Sequence, residues 1–215
     1  MYELFISPKK LYQGCLLAAI THAVAVGMYP ELDYEHSWDT INYCMNDSEG
    51  CRGTITFHRD CVIGVFQGVY GTKSETDPSV FFDGAPETIL QIAQNEAQQY
   101  VLCEEDGIVK PVITTAFWGS WEKLFSAHPM NELMKHGGHI IQTQLLPFAE
   151  AMEIWREYYD LDKRQMDLVS RLFSLKMKAN EQPITLQKED VQALYGETDE
   201  CLASLKELGM IVPHE

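Results

Sequence analysis

The sequence predicts an α+β protein, with an N-terminal antiparallel β-meander and flanking helices followed by a helical region. Three observations carry this. Thr54, Thr56 and His58 alternate with Ile55 and Phe57, the period-two pattern of a strand with one buried face. Arg59-Asp60 then leads into Cys61-Val62-Ile63-Gly64-Val65-Phe66, an apolar run rich in β-branched residues that pairs back as a hairpin. Beyond residue 120 the apolar residues instead recur every three to four positions, as on one face of a helix.

Taken in order, Tyr2 to Ile6 reads as a short strand. Ser7-Pro8 is a helix start, with serine as cap and proline in the first turn, and the helix runs to about Tyr29. Leu11, Cys15, Ala18, His22 and Val26 share one stripe of it, and His22 reads as a hydrogen-bonded core histidine. Lys9-Lys10 ahead of Leu16 to Met28 imitates the order of a signal peptide. Leu4-Phe5-Ile6 before the lysines and the Thr21-His22 interruption favour a structural helix, too short and too broken to span a bilayer. Trp38 to Met45 is the first strand of the meander, and Asn46-Asp47-Ser48-Glu49-Gly50 is a turn whose side chains satisfy their own backbone.

Residues 68–84 read as a long loop anchored by Phe81-Phe82. A helix follows from Pro86 to about Leu102. Ile108 to Trp118 makes a further strand, interrupted by Pro111 and so placed at an edge or a bulge. From Ser120 onward the pattern is helical, broken at His128-Pro129 and Gly137-Gly138, with Phe148, Met152, Trp155 and Tyr159 as one aromatic stripe. The expected division is an α+β domain over residues 1–119 and a helical domain over residues 120–215.

The last fifty residues carry Pro183-Ile184-Thr185 at the opening of one helix, and Glu207-Leu208-Gly209-Met210-Ile211 at the close of the next. Residues 165–215 on this pattern resemble a winged-helix or helix-turn-helix segment. DNA-binding members need a cationic recognition helix, whereas the corresponding helix here carries Glu197, Asp199, Glu200 and Glu207 against Lys206. The resemblance therefore implies a packing or protein-contact module.

With 46% apolar and 22% charged residues the chain is expected to fold rather than stay disordered. It carries 32 acidic and 16 basic residues, a net charge of −16. Such a field repels phosphate backbones and anionic membranes and attracts basic proteins. Residues 161–215 hold 7 basic and 10 acidic residues, so most of the excess lies in residues 1–160. Six cysteines, none in a CxxC pair, are expected to be reduced thiols in a cytoplasmic protein.

Three groups of residues attract attention as chemistry. Cys44, Cys51, His58 and Cys61 are zinc-ligand types, but their spacing lacks the close pairs of a zinc finger, so no metal and no cofactor is expected. His36, Trp38, Asp39, Tyr43, Arg52 and His58 form the candidate partner-binding or pocket set, since a histidine near a carboxylate and a guanidinium supports acid–base work. His136-Gly-Gly-His139 reads as a helix end with a histidine near the negative pole of the dipole, or alternatively as a metal pair or hinge. No nucleotide-binding glycine loop, nucleophile elbow or metalloprotease motif is present. The expectation is thus a non-enzymatic, acidic protein of the immunity, antitoxin or adaptor kind that docks a basic protein, using the 68–84 loop, Trp38 and Tyr43. The alternative is a small-molecule enzyme or sensor with a pocket around His36, Asp39, Arg52 and His58.

Overall fold

The computed structural model describes residues 1–69, 77–179 and 182–212. The elements in chain order are β1 (Tyr2–Leu4), α1 (Pro8–Ala25), β2 (His36–Asp39), β3 (Asn42–Asn46), β4 (Arg52–Phe57), β5 (Val62–Gln67) and α2 (Glu87–Asn95). There follow β6 (Leu102–Glu105), β7 (Ile108–Pro111), β8 (Thr115–Gly119), β9 (Leu124–Ser126), α3 (Met130–Lys135) and α4 (Phe148–Tyr158). The chain closes with α5 (Lys163–Ala179), β10 (Ile184–Thr185), α6 (Lys188–Val191), α7 (Thr198–Glu207) and β11 (Met210–Ile211). Among the described residues no helix is long and apolar enough to cross a membrane.

The fold is α+β, with an antiparallel sheet of seven strands in the order β1-β9-β8-β5-β4-β3-β2. Two compact units interleave in sequence. The first takes Met1–Tyr12 and Ile41–Leu145; the second takes Gln13–Thr40 and Leu146–Glu215. Residues 119 and 120, where sequence patterning changes, lie in the β8–β9 hairpin of the first unit, closed by the Ser120 amide donating to the Lys123 carbonyl at 3.0 Å.

In the first unit the meander forms, but β4 is buried on both faces rather than one, with Thr54 and Thr56 as enclosed as Ile55 and Phe57. Tyr43 on β3 faces Ile55 on β4, Thr54 faces Val65 on β5, and Gly64 faces Phe117 on β8. Ile63 and Val65 of β5 share a core with Ile89 and Ala93 of α2 and with Phe81 and Phe82. The described end of the 68–84 segment is a 3-10 turn over Pro78–Phe82, and both phenylalanines are buried there as expected; residues 70–76 lie outside the described part. Asn42 is buried but fully used: its amide donates to Glu96 Oε2 at 2.8 Å and to the Tyr100 hydroxyl at 3.3 Å, and its oxygen accepts from Thr56 Oγ1 at 2.6 Å. A buried amide with these partners costs little, because each lost water contact is replaced.

Three local expectations change. The strand expected over Trp38–Met45 is two strands, because Thr40 takes φ +56° between them and breaks the extended run. The strand expected over Ile108–Trp118 is also two: β7 pairs with β6, and β8 joins the main sheet. The helix expected at Ser120 is the hairpin turn into β9, where Ser120 Oγ accepts from the amides of Glu122 and Lys123. A serine that satisfies backbone amides suits a turn as well as a helix cap, which explains the misreading.

In the second unit Gly27 follows α1 and meets the C-terminal tail. The Glu197 amide donates to the Gly27 carbonyl at 2.7 Å, and a Cβ on Gly27 would stand 2.3 Å from the Tyr195 carbonyl oxygen and 2.6 Å from Cys201 Sγ. Leu186, Leu194, Cys201, Leu205 and Met210 of the tail are all buried. Buried Asp190 caps the start of α6 by accepting from the Gln187 amide at 2.7 Å and is ion-paired with Arg171 of α5. Parallel pairing of Ile184 with Met210 joins β10 to β11.

Replacing Gly27 with alanine is expected to destabilise the protein by about 2 kcal/mol, since the new methyl group meets the Tyr195 carbonyl as well as the buried Cys201 sulfur, and backbone cannot swing aside. Urea denaturation of the Gly27→Ala variant checks this; an unchanged midpoint contradicts it.

Candidate functional site

The residues singled out by sequence separate into two sets. Tyr43, Arg52 and His58 belong to the first unit; His36, Trp38 and Asp39 belong to the second. Within the first unit Arg52 and His58 stand at opposite ends of β4, about 20 Å apart at strand rise, so no single pocket gathers both. Arg52 is engaged inside its own unit, with Nε donating to Gln67 Oε1 at 2.6 Å and Nη2 to the Leu102 carbonyl at 2.7 Å and Cys103 Sγ at 2.9 Å. His58 lies 3.8 Å from Asp60, and its carbonyl accepts from Trp121 Nε1. Tyr43 has no exposed surface, and its hydroxyl accepts from Gln144 Nε2 at 2.8 Å. Trp38 is 8% exposed; its amide donates to Glu207 Oε2 at 3.0 Å and its Nε1 to the Thr40 carbonyl at 3.2 Å. Trp38 and Tyr43 are therefore interior, and the contact surface expected of them is absent from their side chains. Asp39 is exposed and accepts from Thr40 Oγ1.

The four residues of zinc-ligand type do not converge either. Cys44 accepts from Thr54 Oγ1 within the β3–β4 ladder, while Cys51 precedes β4, and His58 and Cys61 adjoin its far end. Burial raises the thiol pKa of Cys15, Cys51, Cys61 and Cys201, that of Cys61 to about 11. These sulfurs are thus protonated at neutral pH and poor nucleophiles. A different trio does bring ligand atoms together: those of Asp47, Cys51 and His139 all lie within 4.8 Å of one another.

The densest constellation of ionisable and aromatic groups lies in the second unit, around His36. Glu35, only 3% exposed, accepts from the Tyr158 hydroxyl at 2.6 Å through Oε1 and from the Tyr159 hydroxyl at 2.8 Å through Oε2. Two hydroxyl donors replace the water that burial strips from the carboxylate. Tyr159 stacks on Trp155 at 5.9 Å and 17°, and His36 meets Trp155 edge-on at 5.4 Å and 86°. His22 meets His36 edge-on at 5.4 Å. Its Nε2 lies 2.9 Å from the Leu32 carbonyl, an acceptor only, so that nitrogen carries the proton. His22 is the hydrogen-bonded core histidine expected from its place on the α1 stripe.

Burial lowers the pKa of both imidazoles. For His36 the effect is large and is reinforced by His22; for His22 it is opposed by the Leu32 carbonyl and by Glu35. Both are neutral at neutral pH. Neither is placed to exchange protons with a bound molecule, since His22 is sealed from solvent and His36 nearly so. Chemically the arrangement is a support made of hydrogen bonds and ring contacts.

What it supports is an exposed face. Tyr158 is 57% exposed although its hydroxyl is held by Glu35, Tyr34 beside Glu35 is 44% exposed, and Ile154 is 41% exposed one helical turn before Tyr158 on the same side of α4. Glu31, Asp33, Glu150, Glu153, Glu157 and Asp160 are exposed carboxylates on the same two segments. Arg156 is the one cation among them, held by Glu153 at 2.7 Å and by Glu157 at 3.6 Å. Of the aromatic stripe read from the sequence, Trp155 and Tyr159 are buried, whereas Met152 is half-buried and Phe148 exposed; the outward face went unread, and its signal was the Tyr34-Glu35-His36 run together with the Tyr158-Tyr159 pair. The chain matches no family model, no curated protein and no solved structure.

The two histidines set an acid limit. Their folded pKa values lie below the unfolded value near 6.5, so the unfolded chain binds more protons as pH falls through that value, and stability present above it is lost below it. The urea midpoint is expected to drop between pH 7.5 and pH 5.5, with a smaller drop in the His36→Phe variant. Equal drops in the two proteins contradict the assignment.

Proposed function

We propose that this is a non-enzymatic docking protein, of the immunity or adaptor kind, whose acidic face takes a basic protein partner in the cytoplasm. The observation that carries the proposal is Tyr158: a large exposed aromatic whose hydroxyl is fixed by a buried carboxylate and whose neighbours are carboxylates. Anchors of binding energy are typically aromatic, pre-positioned and ringed by polar groups. Fixing the ring in advance lowers the entropy that association costs. The surrounding charge selects the partner's sign and speeds encounter.

The charge distribution by unit supports this face over the front of the sequence. The second unit carries 18 acidic and 8 basic residues, the first 14 and 8, although the first is the longer. Nucleic acid is disfavoured as partner, because Asp199, Glu200 and Glu207 are exposed on α7 of the winged-helix-like segment. Glu207 also accepts from the Trp38 amide, a packing contact that suits a structural use of that helix.

Affinity capture from the source cell at low salt is expected to recover a basic protein on the wild-type chain and to release it at high salt. Tyr158→Ala, or Glu153→Lys with Glu157→Lys, is expected to weaken capture about tenfold or more, roughly 1.4 kcal/mol or above. Recovery of no basic protein, or equal capture by wild type and both variants, contradicts the proposal.

A further inference from the structure

We infer that Asp47, Cys51 and His139 of the first unit form a zinc site with one open coordination position. Asp47 and Cys51 bracket the β3–β4 turn four residues apart, and His139 comes from a distant part of the chain, the 3-10 turn over Gly138–Ile141. Their ligand atoms lie within 4.8 Å of one another, and the Asp47 Oδ2 to His139 Nε2 separation is 3.7 Å. A tetrahedral zinc ion with bonds of about 2.0 Å to oxygen and nitrogen and about 2.3 Å to sulfur sets its ligands roughly 3.3–3.5 Å apart, so the side chains close in slightly when the ion binds.

The two oxygens of Asp47 are used differently. Oδ1 accepts from the amides of Glu49 at 3.0 Å and Cys51 at 2.7 Å and so holds the turn. Oδ2 faces the imidazole at a distance too long for a hydrogen bond and suited to a shared ion. The backbone bonds on Oδ1 fix the carboxylate as supporting contacts fix metal ligands elsewhere.

The backbone leading into His139 is held as well. Gly137 has φ +116°, a conformation that side chains disfavour, and a Cβ on Gly138 would stand 2.3 Å from Leu133 Cδ2. Thr114 Oγ1 donates to the His136 carbonyl while accepting from the Gly68 amide, and the His136 ring stacks on His128 at 5.1 Å. The glycine pair thus sets the direction of the chain into His139, a role for Gly137-Gly138 beyond ending α3. A mixed oxygen, nitrogen and sulfur set suits a borderline ion such as Zn²⁺; Ca²⁺ and Mg²⁺ prefer oxygen alone.

Cobalt(II) is the probe, because a thiolate ligand gives it a charge-transfer absorption that carboxylate binding elsewhere on an acidic protein does not. Titration of the full chain is expected to give that absorption at one equivalent, with Zn²⁺ abolishing it. His139→Ala, at an exposed position, is expected to weaken Co²⁺ binding tenfold or more, and Cys51→Ser to remove the absorption. Absence of the absorption at saturating Co²⁺, its persistence in Cys51→Ser, or unchanged affinity in His139→Ala overturns the inference. Should Cys51→Ser fail to fold by circular dichroism, the His139→Ala comparison decides alone.

Discussion

A buried carboxylate needs donors, and in this protein two tyrosines supply them. Glu35 sits inside the second unit because the hydroxyls of Tyr158 and Tyr159 take the place of water on its two oxygens. That pair of bonds ties the turn before β2 to the end of α4. Tyr159 then extends the network inward through Trp155 to His36 and His22, and Tyr158 extends it outward to solvent. One interaction therefore orders both the aromatic interior and the exposed acidic face. Losing the carboxylate would leave two hydroxyls without their acceptor, and losing either tyrosine would leave part of the charge unsolvated.

The first unit is held by a different device, polar side chains that lock strands edge to edge. Asn42 bridges β3 to Thr56 of β4 and to the Glu96–Tyr100 stretch, while Arg52 bridges β4 to Gln67 of β5 and to the start of β6. Arg52 is thereby spent on architecture. Thr54, Thr56, Thr115 and Ser126 are wholly buried within the sheet, so its strands do not show the clean apolar alternation of a one-sided sheet.

Much of the local structure was legible because it rests on local chemistry. The β4–β5 hairpin follows from period two, the α1 start from Ser7-Pro8, and α3 from its breakers at His128-Pro129 and Gly137-Gly138. The turn at Thr40 was not legible, since a threonine with φ +56° carries no local signature. The hairpin after β8 was hidden because Ser120 offers its hydroxyl to amides two and three residues on in a turn, as it would in a helix. The interleaving of the units was invisible for another reason: nothing local tells Gln13–Thr40 that its partners begin at Leu146. The same non-locality assigned His36 to one unit and Arg52 and His58 to the other, and brought Asp47 and Cys51 to His139. Residue types announced chemistry in each case, but the constellation is a property of tertiary contacts.

The most direct measurement is zero-length carbodiimide cross-linking of the captured complex, with linked peptides identified by mass spectrometry. Amide bonds from partner lysines to Glu31, Asp33, Glu153, Glu157 or Asp160 are the result expected of a docking face built on Glu35 and Tyr158. Links confined to carboxylates of the first unit, such as Glu104, Glu105 and Asp106, would contradict it.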